Sequence, residues 1–174
     1  NDVLATIHSK IQDDPRHTIF FDGEILLDAD FNFINAIKNE LANMDVTHLS
    51  KQDITLFENS DLNHVFLNAF EYVVNLAIRQ ENFLNDSVRN NFICKLLLYA
   101  HLYIQNLDYS ELDFHANHCF YYGDISRHDI YFLILLYKMG FDVVYINPLR
   151  ECDYWKEIDS DTLCKKHKNS QILP

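Results

Sequence analysis

The sequence predicts an α/β fold, with a helix-rich amino-terminal portion followed by a small parallel, Rossmann-like sheet that contains a βαβ unit at 118–147. Three observations predict it. Residues 118–146 pass from an apolar aromatic run, through a polar turn, into an apolar helix and out to a second apolar run. Residues 62–77 and 88–104 repeat apolar side chains at the helical period. The 174 residues include only 3 Gly and 3 Pro, too few for an all-β fold dense in tight turns.

The elements follow in order. Val3, Ile7 and Ile11 recur every four residues and predict a short helix within residues 1–14, ended by Asp13-Asp14-Pro15. Ile19-Phe20-Phe21 reads as a strand. Asp22-Gly23 suits a type I′ turn, which would make residues 18–27 a hairpin. Asp28 or Asp30 caps a helix carrying Phe33, Ile34, Ile37 and Leu41. A polar loop over residues 45–60 holds a short helix from Asp53. The stripe from Leu62 to Ala77 and the stripe from Val88 to Ile104 are then separated by a break at Asn82–Asp86.

The βαβ unit is read residue by residue. His118–Tyr122 suits a strand and Gly123-Asp124 a turn. Ser126 and Asp129 fit a capping box, and Gly140 stops the helix that begins at Arg127. That helix is apolar on nearly every side, so it is buried on nearly every side. Phe141–Ile146 is the second strand, ended by Asn147-Pro148. A helix of about twelve residues between two apolar strands implies a parallel crossover.

A single domain is expected over 1–174. It comprises a mainly helical portion at 1–112, the βαβ unit at 113–150 and a polar carboxyl-terminal segment at 151–174, and it reads as a piece of a longer protein. Hydrophobic residues make up 48% of the chain, which is globular composition. The net charge of −12 repels phosphate backbones and disfavours nucleic acid as a partner. The longest apolar run, Ile130–Tyr137, is too short to cross a bilayer, so no membrane partner is expected. Cys94 and Cys119 lie in apolar patterns and read as small buried hydrophobes, while Cys152 and Cys164 read as unpaired thiols in a polar tail. A cytoplasmic location follows from this cysteine usage.

The candidate site lies at the carboxyl ends of the predicted parallel strands, where open α/β sheets bind ligands. Those ends carry Tyr122, Gly123, Asp124 and Ser126 on one strand and Asn147 and Arg150 on the other. Gly123 lets a ligand approach the backbone, and the helix start offers free N–H groups. Asp124 repels phosphate but suits a ribose or sugar hydroxyl. The plainer reading makes Gly123-Asp124 only a turn and Ser126 only a cap, because a lone glycine turn is not specific to a ligand site. No GxGxxG, Walker or GxSxG pattern is present, and the sequence assigns no catalytic residue and no cofactor. His115, His118, Cys119 and His128 invite a metal reading, but the segment runs into a strand, which spoils their convergence, and no metal is expected. Asp22 after a strand faintly suggests a phosphatase-type aspartate; a turn role is favoured. Tyr99, Tyr103, Tyr109, Tyr121, Tyr122 and Tyr131 could stack on a base or sugar, although packing is the commoner fate of such residues.

The string YYGDISRHDIYFLILLYKMGFDVVYINPL, followed by YWKEID at Tyr154–Asp159, resembles a segment of the YceG-like family. The shared pattern is a strand ending in Tyr-Gly, a polar turn, an apolar helix, Gly-Phe-Asp, a strand, Asn-Pro and a downstream Ile-Asp. It covers roughly a quarter of the chain. Proteins of that family are bacterial and associated with tellurite-resistance and stress-response loci, as components of a biosynthetic module. The resemblance implies a stress-linked role alongside other module components, and it carries over no catalytic residue. Two functional classes fit these observations. One is a component that binds a nucleotide- or sugar-like metabolite at the strand ends, and the other is a non-enzymatic protein-interaction module of the same system.

Overall fold

The computed structural model describes residues 5–6, 9, 17–52, 55–105, 107, 117–148 and 154–158, and the structural statements below concern these residues. Their elements are β1 (Thr18–Asp22), α1 (Phe31–Leu41), a 3-10 turn (Leu49–Lys51), α2 (Ser60–Gln80), α3 (Asp86–Tyr103), β2 (His118–Tyr122), α4 (Arg127–Lys138), β3 (Asp142–Ile146) and α5 (Tyr154–Ile158). The fold is α/β with a small parallel sheet, as the sequence predicts. The helix expected over residues 1–14 falls largely outside the described residues, as do Cys152, Cys164, His115, Tyr109 and Arg150.

The three strands lie in the order β1-β2-β3, and both pairs are parallel. Thr18 stands opposite His118 and Asp142, and Asp22 opposite Tyr122 and Ile146, so all three strands end on one line. The hairpin expected at residues 18–27 is corrected. Residues 23–30 form no return strand, and the Gly23 N–H donates to the carbonyl of Tyr122 at 2.8 Å. Asp22-Gly23 is a strong local hairpin signal, but pairing with β2 buries Ile19 and Phe21 against the helices, which an isolated hairpin would not. The helix expected from Asp53 is also corrected: the 3-10 turn lies before it, and residues 55–59 are irregular.

The caps explain the helix boundaries. Asp30, Asn59, Asn85 and Ser126 each accept from a backbone N–H in the first turn of α1, α2, α3 and α4. Gly140, at φ 97°, turns the chain from α4 into β3. Every residue of α4 from Asp129 to Leu136 is buried, so this helix is the centre of the core, between the sheet and the pair α2 and α3. Along the inner face of the sheet Phe21, Tyr121 and Tyr145 stand in one row, with ring centroids 6.0 and 5.8 Å apart, and Trp155 of α5 continues it. Cys94 and Cys119 are buried free thiols, and burial pushes both thiols up in pKa. None of the described helices is long and apolar enough to cross a membrane.

One packing contact carries a pH dependence. The His101 ring of α3 lies against Phe33 of α1, with centroids 4.4 Å apart, and burial lowers its pKa below the ordinary 6.5. With the folded value depressed, the unfolded chain binds more protons in acid. The contribution of His101 is therefore complete above about pH 6.5 and is lost as pH falls through the folded value. Urea unfolding is expected to give a midpoint that drops from about pH 7 to pH 5, more shallowly in His101→Gln. Identical slopes in the two proteins would show that His101 has no part in it.

Candidate functional site

The common register of the strands gathers polar groups at their carboxyl ends. Asp22 and Gly23 follow β1, Gly123 and Asp124 follow β2 beside Tyr122, and Asn147 follows β3. The Asn147 amide donates to Asp124 Oδ1 at 3.3 Å and lies 3.0 Å from the Tyr145 hydroxyl. Asp22 and Asp124 are exposed, whereas Tyr122, Gly123 and Asn147 are half-buried. The sequence-predicted residues Tyr122, Gly123, Asp124, Ser126 and Asn147 thus share one edge, and Arg150 lies outside the described residues.

Two glycines shape this edge. Gly123 has φ 119° and Gly23 has φ 81°, both in the range that side chains rarely adopt. A Cβ on Gly123 would come within 3.0 Å of the Gly23 Cα, so the two turns cross backbone on backbone. The Gly123 N–H donates to the Ile146 carbonyl at 2.9 Å, which continues the ladder past the strand ends. Below them, the Tyr121 hydroxyl lies 2.9 Å from the Gly23 carbonyl and 3.1 Å from that of Asp124.

Ser126 is the N-cap of α4, its hydroxyl accepting from the Asp129 N–H at 3.2 Å. Only half of the expected capping box forms. The Asp129 carboxylate turns into the protein, 3.3 Å from Lys95 Nζ and 3.1 Å from the Tyr99 hydroxyl. A buried carboxylate needs such partners, and Lys95 keeps its own ammonium partly in water. At the next residue, Arg127 Nε donates to both oxygens of Glu81 at 2.7 and 2.9 Å, and its Nη1 reaches Glu157. The Tyr131 hydroxyl donates to Glu81 at 2.5 Å. Hydrogen bonding to Glu81 raises the Arg127 pKa, and burial, followed by the bond to Glu81, raises that of Tyr131. This network ties α2, α4 and α5 together. Sequence reading missed it, because ion pairs between distant residues have no periodic signal.

The other candidates disperse. His118 sits at the amino end of β2, 3.7 Å from Asp142, Cys119 is in the core, and His128 lies against the Phe92 ring. Tyr99, Tyr121 and Tyr131 are each at most 1% exposed, so packing claims them and not stacking on a ligand. A polar concavity of about 290 Å³ lies where α2 meets α3, lined by Glu81, Asn82, Asp86 and Arg89 among others.

These features define an α/β protein with a three-stranded parallel sheet whose carboxyl edge carries glycine turns and an Asp–Asn pair. The chain belongs to the YceG domain family, whose profile matches residues 1–174. Neither the curated proteins nor the solved structures contain a match to it.

Proposed function

We propose that this chain is a component of a tellurite-resistance and stress-response biosynthetic module, and that it binds a nucleotide- or sugar-like metabolite at the carboxyl edge of its sheet. One observation carries the binding reading: the parallel register lines up three strand ends, two of them closed by glycines at positive φ, beside the hydrogen-bonded pair Asp124–Asn147. The backbone is open to close approach at Gly23, where nothing lies within 4 Å of the place a Cβ would take, whereas at Gly123, where the sequence suggests such an approach, that place is filled by the Gly23 backbone. A carboxylate that accepts and an amide that donates suit neighbouring hydroxyls of a sugar or ribose. Two exposed carboxylates, Asp22 and Asp124, disfavour a phosphate in the same place, so the hydroxyl-bearing part of the ligand belongs at this edge. The stress-linked role is what the resemblance to the YceG-like family implies.

A thermal-shift screen against nucleotides, nucleotide sugars and sugars tests this reading. A ligand that binds only the folded chain, at one hundred times its Kd, adds about 2.7 kcal/mol, or about 5–11 °C at this size. The shift should vanish in Asp124→Ala. A shift that survives this substitution would move the site elsewhere. A second reading, a non-enzymatic interaction module, draws on Leu26, Leu27 and Phe31, which are 59%, 41% and 75% exposed within six residues of chain. A screen without a hit favours that reading.

A further inference from the structure

We propose that the segment Gly23–Leu27 is a strap over the carboxyl edge of the sheet, latched by three tyrosine hydroxyls and built to open as a unit. The purpose assigned to the strap rests on the binding reading above. The strap leaves β1 at Gly23, which lies directly against Gly123, and ends before the α1 cap at Asp30. It has no regular structure of its own. Its carbonyls are held from beneath: Tyr121 reaches Gly23 O at 2.9 Å, Tyr99 reaches Ile25 O at 3.0 Å, and Tyr103 reaches Leu26 O at 2.7 Å. Ile25 is buried at 5% exposure, whereas Glu24, Leu26 and Leu27 are exposed.

Two of these three latches are contested. A phenol has one proton to give. Tyr121 faces Gly23 O on the strap and, at 3.1 Å, Asp124 O on the β2–α4 turn. Tyr99 faces Ile25 O on the strap and, at 3.1 Å, the Asp129 carboxylate on α4. In both cases the alternative acceptor lies on the segment that carries the candidate site. Each of these two protons therefore has a satisfied position with the strap released, and Tyr103, only half-buried, can turn to water. Burial raises the pKa of all three phenols, so they remain donors across the ordinary pH range. Gly23, with nothing within 4 Å of the place its Cβ would occupy, provides a hinge.

Hydrogen exchange on the whole chain, without any ligand, tests the latch independently of whether a metabolite binds. Tyr121→Phe keeps the ring and removes the proton, and Tyr103→Phe does the same at a half-buried position where the core is not at stake. The amides of residues 23–27 should exchange about fivefold faster in each variant, with rates in the sheet and in α4 unchanged. Unchanged rates in the strap in both variants would overturn the proposal. So would a rise spread over the whole chain, which would make these hydroxyls supports of the fold at large.

Discussion

Phe132→Ala should be among the most destabilising single changes in this protein, at about 3–5 kcal/mol. Phe132 is fully buried in the middle of α4, and its ring meets elements on two sides. Its centroid lies 5.2 Å from that of Tyr99 and 6.3 Å from that of Tyr103, both on α3, and 6.2 Å from Phe21 on β1. Truncation removes the ring's own transfer free energy and leaves a cavity between a helix and a sheet, neither of which can close it alone. A domain stability of about 5–15 kcal/mol leaves little reserve after such a loss. Urea unfolding should show a large fall in midpoint with little change in slope. A loss below about 1.5 kcal/mol, the range of a tolerated hydrophobic swap, would show that α4 is not the centre of the core.

The second large effect is expected at Gly123. Alanine there meets two separate penalties. The φ of 119° costs about 1–3 kcal/mol for a residue with a side chain. The new Cβ would also lie 3.0 Å from the Gly23 Cα and 3.2 Å from its nitrogen, both of them backbone atoms that cannot rotate aside. Gly23→Ala separates the two penalties. Its φ of 81° carries the conformational cost, about 1–2 kcal/mol, but nothing stands within 4 Å of the new methyl group. Gly123→Ala should therefore lose clearly more stability than Gly23→Ala, and it should also push the β1 and β2 ends apart. Equal losses in urea unfolding would contradict the crossing of the two turns.

Much of this fold can be read locally. The helix α4 declares itself through Ser126 at its start, Gly140 at its end and an unbroken apolar interior. The stripes of α2 and α3 do so through period alone. The place of Asp124 and Asn147, just beyond two adjacent strand ends, follows from the parallel crossover that the βαβ pattern implies. What failed was β1. Asp22-Gly23 is a hairpin signal in its own neighbourhood, and its true partner, β2, begins only at His118. A parallel pair leaves no turn between its strands for sequence reading to find, so Asp22 and Gly23 were not placed at the site edge. The Asp129 carboxylate looked like half of a capping box because spacing along a helix does not tell which way a side chain turns. Lys95 and Tyr99, on another helix, decide that. The tyrosine latches were hidden for a related reason: their acceptors are main-chain carbonyls, which every residue has.

Mapping backbone amide shifts while titrating the best ligand from the thermal screen tests the central claim most directly. If the carboxyl edge holds the metabolite, the largest shifts fall at residues 22–24, 122–126 and 147, saturate together, and are lost in Asp124→Ala. Shifts that cluster instead around Glu81, Asp86 and Arg89, at the concavity between α2 and α3, would contradict the assignment of the site to the sheet.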